Sequence, residues 1–218
     1  ILNNDPKYQI HGKEQFKNWL EGITYMAIKN LNKTVFDIPR AARDCKVVLD
    51  KDTTDESPYY LGPSDDLTRP GRTSYPTLGR DVFSTWENYS TLFHESVPGH
   101  HMQIMTSTLN KDTLSYFQRN DAWNSGYGEG WALYSETLMD EHGYFSDLGY
   151  KMGYLLCQAM RAVRLVVDVG LHLQYTDPEG NVWTPESATQ YMIEKALLKE
   201  DYARNEIKRY ICWSGQAI

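Results

Sequence analysis

Phe93-His94-Glu95-Ser96-Val97-Pro98-Gly99-His100-His101-Met102-Gln103 is the stretch around which the chain is organised, and Glu129-Gly130-Trp131 answers it downstream. Imidazoles bracket one carboxylate, and a second carboxylate follows on the next helical pattern. Zn²⁺ takes such N/O ligand sets, and a catalytic zinc keeps one position open for water. The common zinc-hydrolase pattern sets two His at i and i+4 with Glu at i+1. Here i+4 from His94 is Pro98, so the simple pattern fails.

On an ideal helix His94 and His101 share a face but stand two turns, about 10.5 Å, apart. That is too far for one ion bound at about 2.0–2.1 Å, while His100 would point elsewhere. A local irregularity can reunite His94 with His100, and Pro98-Gly99 supplies its cause. Proline removes an N–H and crowds the preceding turn, and glycine widens the backbone's choices. The spacing therefore predicts a broken or bulged helix from Phe83 to about Leu109, with His94 and His100 as ligands and Glu95 left to activate water. His101 is a spare imidazole, for substrate contact or packing, and Gln103 reads as support for the site. Glu129, 35 residues after His94, is the third ligand candidate at the start of a helix running to His142. Glu136, two turns further on, is placed to accept from the ring N–H of a ligating His.

The pattern His-Glu-x-x-Pro-Gly-His-His-x-Gln followed by Glu-Gly-Trp-Ala-Leu-Tyr-x-Glu resembles the DUF885 group of zinc metallopeptidase-like proteins. Its second block also looks like the third-ligand helix of gluzincin aminopeptidases, whose first Glu binds zinc. Tyr59-Tyr60 with Arg69-Pro70-Gly71-Arg72, Arg164 to His172, and Arg209 to Ala217 are similar to further blocks of the group. Ser214 stands where the group's last block has Pro, which leaves the metal site untouched.

The resemblance implies a mainly α, zincin-like catalytic domain with at most a small β element and a bound Zn²⁺. It implies a peptidase in which Glu95 is the general base and Tyr210 or His172 stabilises the oxyanion, His172 being oriented by Asp168. Tyr60, Arg72, Arg161 and Gln216 are the substrate-binding candidates. A non-peptide amide or ester hydrolase and a zinc-stabilised binding module are the alternatives. Members of the group are longer, with a helical N-terminal half, so the chain reads as a C-terminal catalytic portion whose partner half belongs beside the substrate.

At 218 residues one domain with a real core is the simplest expectation. Net charge is −7, against the clustered Lys and Arg that a nucleic-acid partner requires. Mean hydropathy is −0.58, and no apolar run approaches the roughly 20 residues of a membrane span. Cys45, Cys157 and Cys212 show no framework spacing. That favours a reducing, cytoplasmic setting, although a removed leader would allow export.

The remaining periodicity predicts an amphipathic helix over Lys13 to Asn32, an extended run at Val35–Pro39 and a strand at Lys46–Leu49. Residues 50–80, rich in Asp, Thr, Ser, Pro and Gly, read as one long loop, with Tyr59, Tyr60, Arg69 and Arg72 either forming a wall of the substrate cleft or lying on solvated surface. A helix over Asp147–Gln174, a turn at Glu179-Gly180-Asn181, a helix capped by Thr184 and a last helix over Lys199–Tyr210 complete the reading.

Overall fold

The structure, a computed structural model, describes residues 1–53, 57–215 and 217. Among the described residues the protein is mainly helical with two small sheets. It divides into two compact units, Ile1–Gly153 and Tyr154–Ile218.

In the first unit, β1 (Gln9–His11) leads into α1 (Lys13–Leu31), which buries Phe16, Leu20, Thr24, Ala27, Ile28 and Leu31. Those positions recur every three to four residues, so one stripe faces the core. Val35–Pro39 forms no strand. Phe36 makes an isolated bridge to Asn32, and the Val35 amide donates to the Leu31 carbonyl at 3.0 Å. Then come β2 (Lys46–Asp50), β3 (Tyr59–Leu61), β4 (Arg72–Pro76) and β5 (Val82–Ser84). β4 is the middle strand of a sheet, parallel to β2 and antiparallel to β3, and β5 pairs with β1.

The long loop expected over 50–80 is thus corrected: it holds β3 and β4. β4 was hidden because its buried positions include Thr73 and Ser74, polar residues whose hydrogen bonds are met inside. The Thr73 hydroxyl, for example, donates to the Lys46 carbonyl at 3.3 Å. Phe83, expected to open a helix, lies in β5 and stacks on Phe16 with ring centroids 4.3 Å apart.

Ser84 caps α2 (Thr85–Glu95), and α3 (His100–Leu109) follows after four residues. A short α4 (Tyr116–Asn120) precedes α5 (Ser125–Glu141), which is capped by the Asn124 side chain. α5 begins earlier than the glycine-rich sequence suggested. Helical glycine costs about 1 kcal/mol relative to Ala, but Gly128 admits the Trp123 ring, whose nearest atom would lie 2.1 Å from any Cβ there.

α6 (Leu148–Leu173) contains the boundary between the units. In the second unit, α7 (Pro185–Ala196) and α8 (Glu200–Cys212) gather Val163, Val167, Trp183, Met192, Ile207 and Tyr210 into one core. Thr184 accepts from the Ser187 amide, and Pro185 opens α7 as the sequence predicted. Thr176 pairs with Val182 across the turn at Gly180. No described helix is long and apolar enough to cross a membrane.

Candidate metal centre

The broken helix is two helices joined by a tight backbone crossing. The Gly99 amide donates to the Phe93 carbonyl at 3.0 Å, and the His101 amide to the Ser96 carbonyl at 3.1 Å. A Cβ on Gly99 would sit 1.9 Å from the His94 carbonyl oxygen. Only glycine allows that approach. Trp131, on α5, fastens the crossing by donating its indole N–H to the Pro98 carbonyl at 2.9 Å.

The crossing turns His100 back toward His94. Their rings lie 4.9 Å apart, nearly perpendicular. Glu129, the fifth residue of α5, completes the group. Its Oε2 stands 3.2 Å from His94 Nε2 and 3.6 Å from His100 Nε2. One potential ligand atom from each of the three falls within 4.8 Å of the others. A tetrahedron with bonds of about 2.0–2.1 Å has edges of about 3.3 Å, so the three donors fit one ion.

Burial alone would raise the Glu129 carboxyl, but hydrogen bonds to His100 and His94 and their charge outweigh it, holding the group well below the usual range. His94 and His100 are buried, whereas the Glu129 side chain is 53% exposed. The cluster is closed by protein on the histidine side and accessible at the carboxylate.

His94 has a second partner. Its Nδ1 lies 2.8 Å from Oε1 of Glu136, which is fully buried and also accepts from the Ser90 hydroxyl. Two turns separate Glu129 from Glu136, so both carboxylates reach one ring from the same face of α5. Ser90 was not expected from the sequence. Its signal was the i−4 spacing from His94, which sets both on one face of α2.

Glu95 ends α2 and is 6% exposed. Its charge adds to the burial that pushes the Cys45 thiol up to about 12 and the Tyr75 hydroxyl well above its ordinary value. His101 is fully buried, with Nδ1 3.0 Å from the Tyr60 hydroxyl and Nε2 3.1 Å from the Ala42 carbonyl. Nε2 therefore carries the proton, and Tyr60 donates to Nδ1. Burial depresses the ring to about 4, so His101 is a neutral packing residue.

The other candidates are distributed over both units. Tyr60 lies on β3 against His101, and burial raises its hydroxyl. Arg72 opens β4 at an exposed position and acts electrostatically on Asp50 and Tyr59. In the second unit, Arg161 is half-buried on α6. His172 sits 3.6 Å from Asp168 and donates from Nε2 to the Tyr210 carbonyl at 2.9 Å. Asp168 is buried and accepts from the amides of Gly215 and Ala217. Tyr210 is fully buried and donates its hydroxyl to Glu206 at 2.6 Å. Gln216 lies outside the described residues.

Two buried histidines and an accessible carboxylate around a shared point, braced by the buried Glu136, form a candidate metal site. The chain belongs to the DUF885 family, described as "Bacterial protein of unknown function (DUF885)", whose pattern matches residues 1–218. It is similar to the crystal structure of a "putative lipoprotein" from Colwellia psychrerythraea, with a TM-score of 0.78 and 28% identity. That match covers 99% of this chain but 36% of the other, so the chain spans about a third of that protein. No curated protein matches it.

Proposed function

We propose that the chain carries the metal centre of a zinc-dependent hydrolase acting on peptide bonds. The observation that supports this most is Glu95, a buried carboxylate one residue after His94, in a chain whose His94, His100 and Glu129 cluster is accessible at Glu129. A metal that only braced the fold would give no reason for a further buried carboxylate at that place.

His94, His100 and Glu129 would hold the ion, and Glu136 would fix the His94 ring so that Nε2 faces it. Bound there, zinc would lower the pKa of a water toward about 7 and polarise the scissile carbonyl. Glu95 would take the water's proton as its oxygen bonds to the carbonyl carbon, and would return that proton to the amine nitrogen as the C–N bond breaks, as general base and then general acid. Tyr210 or His172 is the proposed oxyanion donor. Each already has an acceptor, Glu206 and the Tyr210 carbonyl, so either must exchange it for substrate. Tyr60, Arg72, Arg161 and Gln216 are the proposed substrate contacts. The rest of a longer protein would border the site, since the solved relative extends well beyond the matched portion.

The test is Glu95→Gln, assayed on a peptide library with the metal content measured in parallel. General acid–base groups contribute about 10²–10⁴-fold, so hydrolysis should fall by at least about a hundredfold while the metal stays bound. Full turnover in the variant would sink the mechanism. A wild type that binds zinc and hydrolyses simple esters or amides but no peptide would move the substrate class. One that binds zinc and hydrolyses nothing would favour a zinc-stabilised binding module.

A further inference from the structure

A cleft of about 290 Å³ opens between α3, α5 and the Phe36–Pro39 segment, all within the first unit. It is bounded by the two helices that carry His100 and Glu129. Phe36, Met102, Tyr127 and Trp131 give it aromatic and thioether walls, and Gln103 and Thr106 add polar edges. Ligand pockets for whole small molecules run from about 300 to 1,000 Å³, so this one suits a single large side chain.

Gln103 supplies the second observation. It is 7% exposed, and its Oε1 is buried with no hydrogen-bond partner among the described residues. Its Nε2 donates to the Tyr127 carbonyl at 3.5 Å. Turning the amide over would set two oxygens against each other, so that carbonyl fixes which end is left over. The unmatched atom is an acceptor, and a buried acceptor without a donor costs about 1–3 kcal/mol. Asp37 also lines the cleft, but it is paired with Lys33, which removes the free negative charge that a cationic guest would need.

We infer that this cleft is a specificity subsite for an aromatic side chain that carries its own donor, the phenol of tyrosine or the indole of tryptophan, with Gln103 Oε1 as acceptor. The ring lies between Phe36, Tyr127 and Trp131, and Met102 meets its edge, a contact that sulfur makes well. The inference rests on reading the chain as a hydrolase of peptides. Its test measures binding, so that it succeeds or fails apart from turnover.

Isothermal titration calorimetry on the zinc-loaded chain would use N-acetyl-tyrosinamide, N-acetyl-tryptophanamide, N-acetyl-phenylalaninamide and N-acetyl-argininamide. One additional hydrogen bond to a buried acceptor predicts that the first two bind about tenfold more tightly than the phenylalanine amide. Gln103→Met should erase that difference while retaining the phenylalanine amide. Thr106→Trp, a change at an exposed helix position, should fill the cleft and abolish binding of all three. Equal affinity for tyrosine and phenylalanine amides in the wild type, preference for the arginine amide, or affinity unaffected by Thr106→Trp would each overturn the subsite. Peptide cleavage with no preference for tyrosine or tryptophan would also overturn it while leaving the hydrolase standing. Tight, Gln103-dependent binding without cleavage would support the subsite and count against the peptidase.

Discussion

His94 Nδ1 and Glu136 Oε1 lie 2.8 Å apart, inside a region where Glu136 has no solvent exposure at all. The carboxylate accepts the Nδ1 proton and fixes the ring, so that Nε2 faces Glu129 and His100 and would offer its lone pair to an ion that displaced its proton. Because Ser90 donates to the other oxygen, Glu136 is anchored from α2 as well as from its own helix. Removing the charge while keeping the shape should weaken the metal and spare the fold. Glu136→Gln is expected to reduce zinc affinity about 10–100-fold, read by competition with a chromophoric chelator, with little change in circular dichroism. Unaltered affinity would show that the ring needs no orienting partner.

Elemental analysis separates the two adjacent histidines. About one zinc per chain is expected in the wild type, none in His100→Ala, and a full complement in His101→Ala. The second variant should still be less stable, since it leaves the buried Ala42 carbonyl and the half-buried Tyr60 hydroxyl without their partner, at a cost of about 1–3 kcal/mol. Zinc lost only from His101→Ala would reverse the assignment.

Gly99→Ala should act like loss of a ligand although no ligand is touched. A methyl group 1.9 Å from the His94 carbonyl oxygen cannot be accommodated without moving α3 away from α2. Zinc content should fall sharply while the far-UV spectrum stays helical. Normal zinc binding in this variant would mean that the crossing is less constrained than its geometry requires.

Asp147 offers a pH-dependent test away from the metal. The hydrogen bond from Lys7 draws its carboxyl to about 2, against burial, and the Tyr8 hydroxyl and the amides of Tyr150 and Gly149 add to the effect. An unfolded Asp titrates near about 3.9, so between these values the folded chain binds fewer protons. The stabilisation is therefore complete above about pH 4 and disappears as the pH falls toward 2. In urea titrations, Asp147→Asn should flatten that part of the stability profile. Asp147→Ala should also cost about 0.5–2 kcal/mol at neutral pH, because the side chain caps the first turn of α6.

What the sequence revealed was mostly local. Pro98-Gly99 announced a break, and the spacing of His94, His100, Glu129 and Glu136 became interpretable once the break was placed there. α7 announced itself through Thr184 and Pro185. The chemistry of Gly99 was only half visible, since its contact with the His94 carbonyl depends on how two helices cross. β4 escaped because buried Thr73 and Ser74 look like loop residues until their partners are known. The start of α5 escaped because three glycines outweighed the cap at Asn124. The cleft beside Gln103 escaped for a different reason: Phe36 and Trp131 are far apart in sequence, and only tertiary packing brings them to one wall.

Trp131 holds the Pro98 carbonyl from the helix that also bears Glu129. The third donor and the hinge that pairs the first two are thus mounted on one rigid rod, and neither can shift without the other. The usual search pattern for such centres, two histidines one turn apart, encodes a continuous helix. A chain that replaces that turn with a proline–glycine crossing passes through the pattern unseen, although its two imidazoles and carboxylate would suit the same ion. A signature written around the crossing, with a tryptophan two residues after the distal glutamate, would find it.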